Sequence, residues 1–215
     1  SRKKGDPINQ RNPSLCGIVA PPLFILMTVL GGALRPGYSH LANTISELLS
    51  PGSPNKLMLD VLYTTYSVLL IFFGFGLLHL ARKTKPTKLT GMIGAILFIA
   101  MGCLNLLAAT IFPQDAWGST PTFAGEMHIL LHGVIGILGV FYMLLFGIWS
   151  LQTGNFPGLG IHSFVTIGLL AVTTFFLIRV TGGPLMGLVE RLAGLVGLQW
   201  TFILALRMLL RKESQ

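Results

Sequence analysis

Long apolar stretches, separated by short polar segments, dominate this chain. Hydrophobic residues make up 52% of its 215 residues and charged residues only 10%, whereas about a quarter of the residues in a soluble domain are charged. A helix that spans a bilayer uses about 20 apolar residues, so six spans would account for most of the chain. The sequence therefore predicts an all-α polytopic membrane protein in which residues 1–215 form a single six-helix domain.

Glycine, proline and charged residues bound the apolar stretches and predict where the helices end. The predicted spans are approximately 15–34, 56–80, 89–112, 127–151, 162–180 and 184–210. Pro184 suits the first position of the sixth helix. Pro21 and Pro22 fall inside the first span, and because proline removes a backbone donor, we expect that helix to kink or to begin there.

Basic residues are concentrated on one side of the predicted bundle. When the connections alternate between two sides, the side with both termini carries Arg2, Lys3, Lys4, Arg11, Arg82, Lys83, Lys85, Lys88, Arg207, Arg211 and Lys212. Such a bias marks the cytoplasmic side, so we expect both termini in the cytoplasm and a multi-pass protein of the cytoplasmic (inner) membrane. The aromatic residues lie in the apolar stretches rather than among the basic residues, which argues against a nucleic-acid partner despite the net charge of +8.

The connection after the first helix is long for so small a protein, and long loops are commonly functional. It reads RPGYSHLANTISELLSPGSPNK. Within it, Leu41, Ile45, Leu48 and Leu49 recur at helical spacing. This spacing predicts a short amphipathic segment that lies in the interface or folds back over the bundle.

Polar residues that are costly near hydrocarbon collect on the side opposite the termini. Besides the long loop, this side receives FPQD after the third helix, GEMHILLH at the start of the fourth and GLVERL at the start of the sixth. We therefore expect an outward-facing polar pocket at this end.

Two histidines in this region have the spacing of metal ligands. His128 and His132 are four residues apart, so both imidazoles lie on one face of a helix. With His40 as third ligand, they would form an open site for zinc or another divalent metal, and Asp115, Glu47 and Glu190 are alternatives to His40. The glutamate that follows the first histidine in the HExxH pattern of zinc proteases is missing here. A structural alternative is that both histidines bond to loop carbonyls or carboxylates.

The same pocket contains candidates for catalysis and for lipid binding. Glu47, Asp115 and Ser46 are the catalytic candidates, with Glu47 as general base on a metal-bound water. The candidates for binding a lipid headgroup are Arg179, Arg191, Tyr38 and Glu190, and the forked guanidinium of arginine is suited to a phosphate. The structural alternative for Arg179 is an ion pair with Glu190 or Glu126.

Two further histidines lie near the side of the termini. His79 ends the second predicted helix and His162 begins the fifth, at similar depth. Two histidines at matched depth on different helices are compatible with a b-type haem. The alternative is that both belong to the polar rim of the membrane.

The motifs of the polar side resemble a bacterial and archaeal six-helix membrane family catalogued as domain of unknown function 998. The pattern of Tyr38, Ser39, Ile45, Ser46 and Glu47 is its most specific piece. This resemblance implies six helices but no particular activity. A weaker likeness is to the ceramidase-and-receptor superfamily of membrane hydrolases, in which histidines hold zinc. In that superfamily the histidine motif lies on the last of seven helices, whereas here His128 and His132 lie on the fourth of six.

Three functions are consistent with these patterns. The first is a lipid-directed enzyme, a metal-dependent hydrolase of ester or amide bonds. The second is a non-catalytic protein that binds lipids or a membrane protein partner through the same pocket. The third is an electron carrier with b-type haem.

Overall fold

The computed structural model describes residues 10–116 and 118–211, so Arg2, Lys3, Lys4, Trp117 and Lys212 lie outside the described residues. The described part contains six α-helices and no strand. The helices are α1 (Arg11–Ala33), α2 (Lys56–Lys83), α3 (Leu89–Thr110), α4 (Phe123–Thr153), α5 (Leu159–Val180) and α6 (Met186–Leu210). Each is long and apolar enough to cross a membrane. The all-α fold with six membrane-spanning helices is therefore confirmed.

The six helices form a closed ring in chain order. Each helix packs against the next, and α6 packs against α1. Short connections make neighbouring helices antiparallel, so segments 34–55, 111–122 and 181–185 share one end of the bundle, here called the long-loop end. The start of α1, the end of α6 and segments 84–88 and 154–158 share the other end, here called the termini end. The long loop and the segments FPQD, GEMHILLH and GLVERL are thus at the same end, as predicted.

Aromatic side chains fill the half of the ring toward the termini end. The Tyr142 ring centroid lies 5.0 Å from that of Phe98 and 5.2 Å from that of Trp200. Trp200 is fully buried, and its indole N–H donates to the Ser163 hydroxyl over 2.9 Å. A buried tryptophan whose N–H has a partner contributes both area and specificity. These rings close the termini half of the bundle interior.

Helix α5 packs closely against the bundle only in its first half. Its buried residues are Leu159, Gly160, Ser163 and Thr166, and none of residues 167–180 is buried. At the termini end, a Cβ added to Gly147 of α4 would lie 3.0 Å from Ser163 Cβ. Gly136 and Gly133, three and four turns away on the same face of α4, have no atom within 4 Å of such a Cβ. The second half of α5 thus leaves Gly133 and Gly136 of α4 uncovered at membrane depth, and this region is here called the α4–α5 gap.

The structure corrects several predicted boundaries. Helix α1 begins at Arg11 and includes Pro21 and Pro22, so the expectation that the helix begins at the prolines is wrong. Helix α6 begins at Met186 rather than at Pro184. Helix α4 begins earlier than predicted because Thr122 caps it, accepting a hydrogen bond from the Gly125 N–H over 3.2 Å.

The helical part of the long loop is shorter than its sequence spacing suggested. Only Ser46–Leu49 is helical, as a single 3-10 turn. Leu48 and Leu49 are buried, whereas Leu41 is 53% exposed. Ile45 is buried as well, so the segment folds back onto the bundle with three of the four residues of its predicted apolar face.

Two glycines test how closely the helices pack. A Cβ at Gly76 of α2 would lie within van der Waals overlap of Pro13, whereas a Cβ at Gly133 meets nothing within 4 Å. We expect Gly76→Ala to destabilise the protein by about 1–3 kcal/mol through overpacking and Gly133→Ala to leave stability unchanged or slightly higher. Thermal unfolding in detergent compares the two variants. Equal midpoints would contradict the close approach of α1 and α2.

Candidate functional site

Arg191, at the start of α6, holds the long loop on the bundle. Its Nη1 lies 2.9 Å from the carbonyl oxygens of both His40 and Asn43 and 2.8 Å from that of Gly187, and its Nη2 donates to the Tyr38 hydroxyl. The Leu188 N–H adds a bond to the Leu41 carbonyl over 2.9 Å. Because one guanidinium satisfies several loop acceptors, the loop has a defined position relative to α6.

The neighbouring Glu190 binds the same loop from α6. Its Oε2 accepts a hydrogen bond from the Ile45 N–H over 2.8 Å. No hydrogen bond to its other oxygen, Oε1, is found within the described chain. Glu190 therefore helps to fix the loop and retains one acceptor for another group.

Glu47 organises the loop from within. The side chain is buried, with Oε1 accepting from the Thr44 N–H over 2.8 Å and Oε2 from the Asn43 amide over 2.9 Å. Its own carbonyl oxygen accepts from the Arg35 guanidinium and, over 2.8 Å, from the Ser50 hydroxyl. Both carboxylate oxygens are thus occupied within the loop, and the general-base role of Glu47 stays a prediction.

Ser46 and His128 form a hydrogen-bonded pair between the loop and α4. The Ser46 Oγ lies 3.0 Å from His128 Nε2. On the other side of the imidazole, Nδ1 lies 2.8 Å from the carbonyl oxygen of Phe112. A carbonyl oxygen only accepts, so Nδ1 of the neutral ring carries the proton and Nε2 accepts the Ser46 proton. Ser46 is partly accessible, although the other residues of segment 44–50 are buried.

This arrangement matches the geometry of an activated nucleophile. Such a site needs a hydroxyl within about 2.6–3.2 Å of a base, and a third group that orients the base. Ser46, His128 and the Phe112 carbonyl supply these three parts. In addition, the Ser46 N–H has no hydrogen-bond partner among residues 10–116 and 118–211, which leaves a backbone donor beside the hydroxyl.

Asp115 positions the start of α4 rather than the Ser46–His128 pair. Its carboxylate accepts from the Thr122 N–H over 2.8 Å and from the Thr122 hydroxyl over 2.7 Å. These hydrogen bonds lower the pKa of Asp115 below its usual value. The same Thr122 hydroxyl caps α4, so Asp115 stabilises the helix end that carries His128. Its catalytic role stays a prediction.

The three predicted metal ligands are only partly brought together. The rings of His128 and His132 stack, with centroids 4.2 Å apart. His40 instead lies edge-on to Tyr38, 5.3 Å between centroids, and burial and the nearby Arg191 lower its pKa. No group of three His, Cys, Asp or Glu residues placed to hold a metal is found where the chain is described. In this structure His128 Nε2 instead accepts from Ser46, and the metal site stays a prediction.

The predicted headgroup-binding residues divide into two groups. Tyr38 belongs to the loop contacts, because its hydroxyl donates to the Thr44 carbonyl over 2.7 Å, and Arg191 and Glu190 hold the same loop. Arg179 is exposed and lies over the Phe175 ring, 5.2 Å from the centroid. The one salt bridge among the described residues is Lys56–Asp60, so the alternative pairing of Arg179 with Glu190 or Glu126 is wrong for this structure.

The haem hypothesis gains no geometric support. His79 lies on α2 and His162 on α5, and these helices are not neighbours in the ring. A bis-histidine haem stays a prediction.

Sequence reasoning selected Ser46 and His128 separately but did not pair them. Ser46 was a catalytic candidate and His128 a metal ligand, and the two are 82 positions apart. Their shared side of the membrane was the only available signal. The orienting group, the Phe112 carbonyl, is a backbone atom and leaves no mark in the sequence.

Comparison with known proteins identifies a family. The family described as "Protein of unknown function (DUF998)" matches residues 18–207, which is most of the chain. The chain belongs to this family. The matched residues include the whole long loop, Ser46, His128 and the Arg191 contacts. No curated protein and no solved structure matches.

Replacing Arg191 should loosen the long loop. We expect Arg191→Lys to raise the hydrogen exchange of residues 38–47, because an ammonium cannot reproduce the forked contacts of the guanidinium. The matched control is Arg179→Lys, which alters an exposed arginine without loop contacts. Exchange measured by mass spectrometry should separate the two variants. Unchanged exchange in Arg191→Lys would contradict the anchoring role.

Asp115 should make the start of α4 sensitive to acid. Because its pKa is lowered in the folded protein, its contribution to stability is present above the ordinary aspartate pKa of about 3.9 and is lost as pH falls through the lowered value. Protection of the amides of residues 122–128, measured relative to their intrinsic exchange rate at each pH, should therefore fall at acid pH in the wild type. In Asp115→Asn this protection should be lower at neutral pH and vary less with pH. The same dependence on pH in the wild type and in Asp115→Asn would count against this role of Asp115.

Proposed function

We propose that the protein is a serine-dependent hydrolase that cleaves an ester or amide bond of a membrane lipid at the long-loop end of the bundle. The observation that carries the proposal is the contact of 3.0 Å between Ser46 Oγ and His128 Nε2, with the Phe112 carbonyl on Nδ1. A lipid substrate is supported by the position of this pair at one end of six apolar helices.

The reaction follows from the roles of the two side chains. Ser46 Oγ attacks the carbonyl carbon and passes its proton to His128 Nε2. The bond to the leaving alcohol or amine then breaks, and the imidazolium returns the proton to that group. A water molecule, deprotonated by His128, attacks the acyl-Ser46 ester and releases a carboxylic acid while Ser46 regains its proton.

The surroundings support this chemistry. The Phe112 carbonyl keeps the imidazole in the tautomer that accepts the serine proton and stabilises the imidazolium that forms. The Ser46 N–H, which has no partner in the described part of the chain, is a donor for the developing oxyanion. The loop contacts of Glu47 and Arg191 reduce the motion of Ser46, and a fixed nucleophile reacts faster. No step in this proposal uses a metal.

The proposal includes an orientation. With both termini in the cytoplasm and the protein in the cytoplasmic membrane, the long-loop end and Ser46 lie on the outer side. The predominance of basic residues at the termini end supports this orientation.

A second candidate is a protein that binds lipids or a membrane protein partner without turnover. Its support is the complete hydrogen bonding of the Glu47 carboxylate within the loop, as expected of a structural network.

A fluorophosphonate probe tests the nucleophile without knowledge of the substrate. We expect the purified full chain to be labelled on Ser46, with loss of labelling in Ser46→Ala. Labelling should slow about 100- to 10,000-fold in His128→Ala, the usual contribution of a general base. Ser53→Ala, in the same loop, is the matched control and should keep its labelling. Peptide mass spectrometry identifies the labelled residue.

Three other outcomes would decide against the proposal. A wild-type protein that resists the probe would favour the binding function. Labelling that persists in Ser46→Ala would exclude this nucleophile. Lipid hydrolysis that a chelator abolishes, with stoichiometric metal in the purified protein, would favour the metal-dependent mechanism instead.

A further inference from the structure

The face of α4 that carries His128 continues into the bundle interior. His132 and Gly139 follow His128 by 4 and 11 residues, so the three share one face. His132 Nδ1 contacts the His128 carbonyl oxygen over 3.0 Å, and its Nε2 has no partner among the described residues. Gly139 is buried, yet no atom lies within 4 Å of where its Cβ would be. Gly139 therefore borders open space inside the ring.

Helix α6 borders open space at the same depth. Glu190, Gly194 and Gly197 recur at intervals of four and three residues and share one face. Neither glycine has an atom within 4 Å of an added Cβ. Gly197 precedes Trp200 by three residues, as Gly139 precedes Tyr142, and these two rings are in contact. The open spaces beside α4 and α6 thus lie at the same depth in the bundle, on the long-loop side of the aromatic side chains.

A buried tyrosine without a partner faces this region from α2. Tyr66 is 8% exposed, and no hydrogen bond of its hydroxyl is found in the described segments. The neighbouring Tyr63, by contrast, donates to Asn105 over 2.9 Å. A hydroxyl buried without a partner costs free energy, but the Tyr66 oxygen is not among the fully enclosed unpaired atoms. It retains accessible surface inside the bundle, close to Tyr142.

These residues define an inner chamber lined by Tyr66, Gly139, Glu190, Gly194 and Gly197. At its top are His132 Nε2, one helical turn from His128, and Glu190 Oε1, whose carboxylate binds the Ile45 N–H beside Ser46. Neither atom has a hydrogen-bond partner within the described segments. Its floor is the aromatic cluster of Phe98, Tyr142 and Trp200. Its side opens at the α4–α5 gap, where Gly133 and Gly136 leave the space toward α5 empty. The gap faces the bilayer.

We propose that the inner chamber binds an acyl chain of a membrane lipid, which reaches it from the bilayer through the α4–α5 gap. Hydrocarbon that fills such a space buries apolar surface and makes van der Waals contacts with the glycine-lined faces of α4 and α6. The polar linkage of that lipid then lies beside His132 and Glu190, within reach of Ser46; this last placement rests on the proposed function. The substrate class is therefore a lipid with at least one long acyl chain, selected by the depth of the chamber.

Photolabelling tests the chamber. The probe is a phospholipid with a diazirine in the middle of one acyl chain, incorporated into bilayer discs that contain the full chain with Ser46→Ala. We expect labels on the interior-facing residues around Gly139 and Gly197, displaced by excess unlabelled phospholipid. The Ser46→Ala background makes this readout independent of turnover.

Two adjacent positions provide the test of the gap. Gly136→Trp places an indole in the empty space between α4 and α5, whereas Ile137→Trp places it on the bilayer side, where Ile137 is 58% exposed. We expect chamber labelling to be lost in Gly136→Trp and unchanged in Ile137→Trp. Gly133→Trp, which fills the gap one turn nearer the loop, serves if Gly136→Trp does not fold.

The outcomes separate this inference from the proposed function. Absence of label at the interior positions, or equal label in the two tryptophan variants, would overturn the acyl-chain site. Chamber labelling that is retained together with a failed fluorophosphonate test would leave the lipid site intact and reject only the hydrolase.

Discussion

The lack of water in hydrocarbon governs this structure. A polar group at membrane depth has to find its partner within the protein, and an unsatisfied one costs several kcal/mol, roughly. The six helices hydrogen-bond their own backbone groups, and the charged and hydrogen-bonding side chains that most need partners lie at the long-loop end. There the loop has no regular structure beyond one 3-10 turn, so Arg191, Glu190 and Glu47 supply the hydrogen bonds that its backbone lacks.

The two charged residues at the start of α6 act on the loop in complementary ways. Arg191 donates hydrogen bonds to backbone carbonyl oxygens of the loop, and Glu190 accepts one from a backbone N–H. Two adjacent side chains thus bind both kinds of backbone polar group in the loop. Glu47 extends this arrangement inward. The result is a rigid support for Ser46, which is the condition for holding a hydroxyl on a histidine at a fixed distance.

The sequence predicted the helices well and the site only in outline. Apolar length identifies a membrane span without knowledge of its neighbours, so all six helices were found; the errors lie at ends such as Phe123, where a threonine cap extends α4. The common side of the polar segments followed from alternating topology. The contacts between these polar groups did not follow from topology. Ser46 meets His128 because the loop packs on α4, and Asp115 accepts a hydrogen bond from Thr122 instead of joining that pair. The inner chamber depends on the distance between helices, which glycine positions alone do not give.

The tie between the long loop and α6 has a consequence for biogenesis. Ile45 and Asn43 of the loop leave the ribosome 145 and 148 residues before their partners on α6. Ser46 and His128 can both be in the membrane while the chain is incomplete, yet the support that aligns them comes only with the last helix. A chain truncated before α6 would therefore carry both groups but lack the contacts of Glu190 and Arg191 that hold the loop in place.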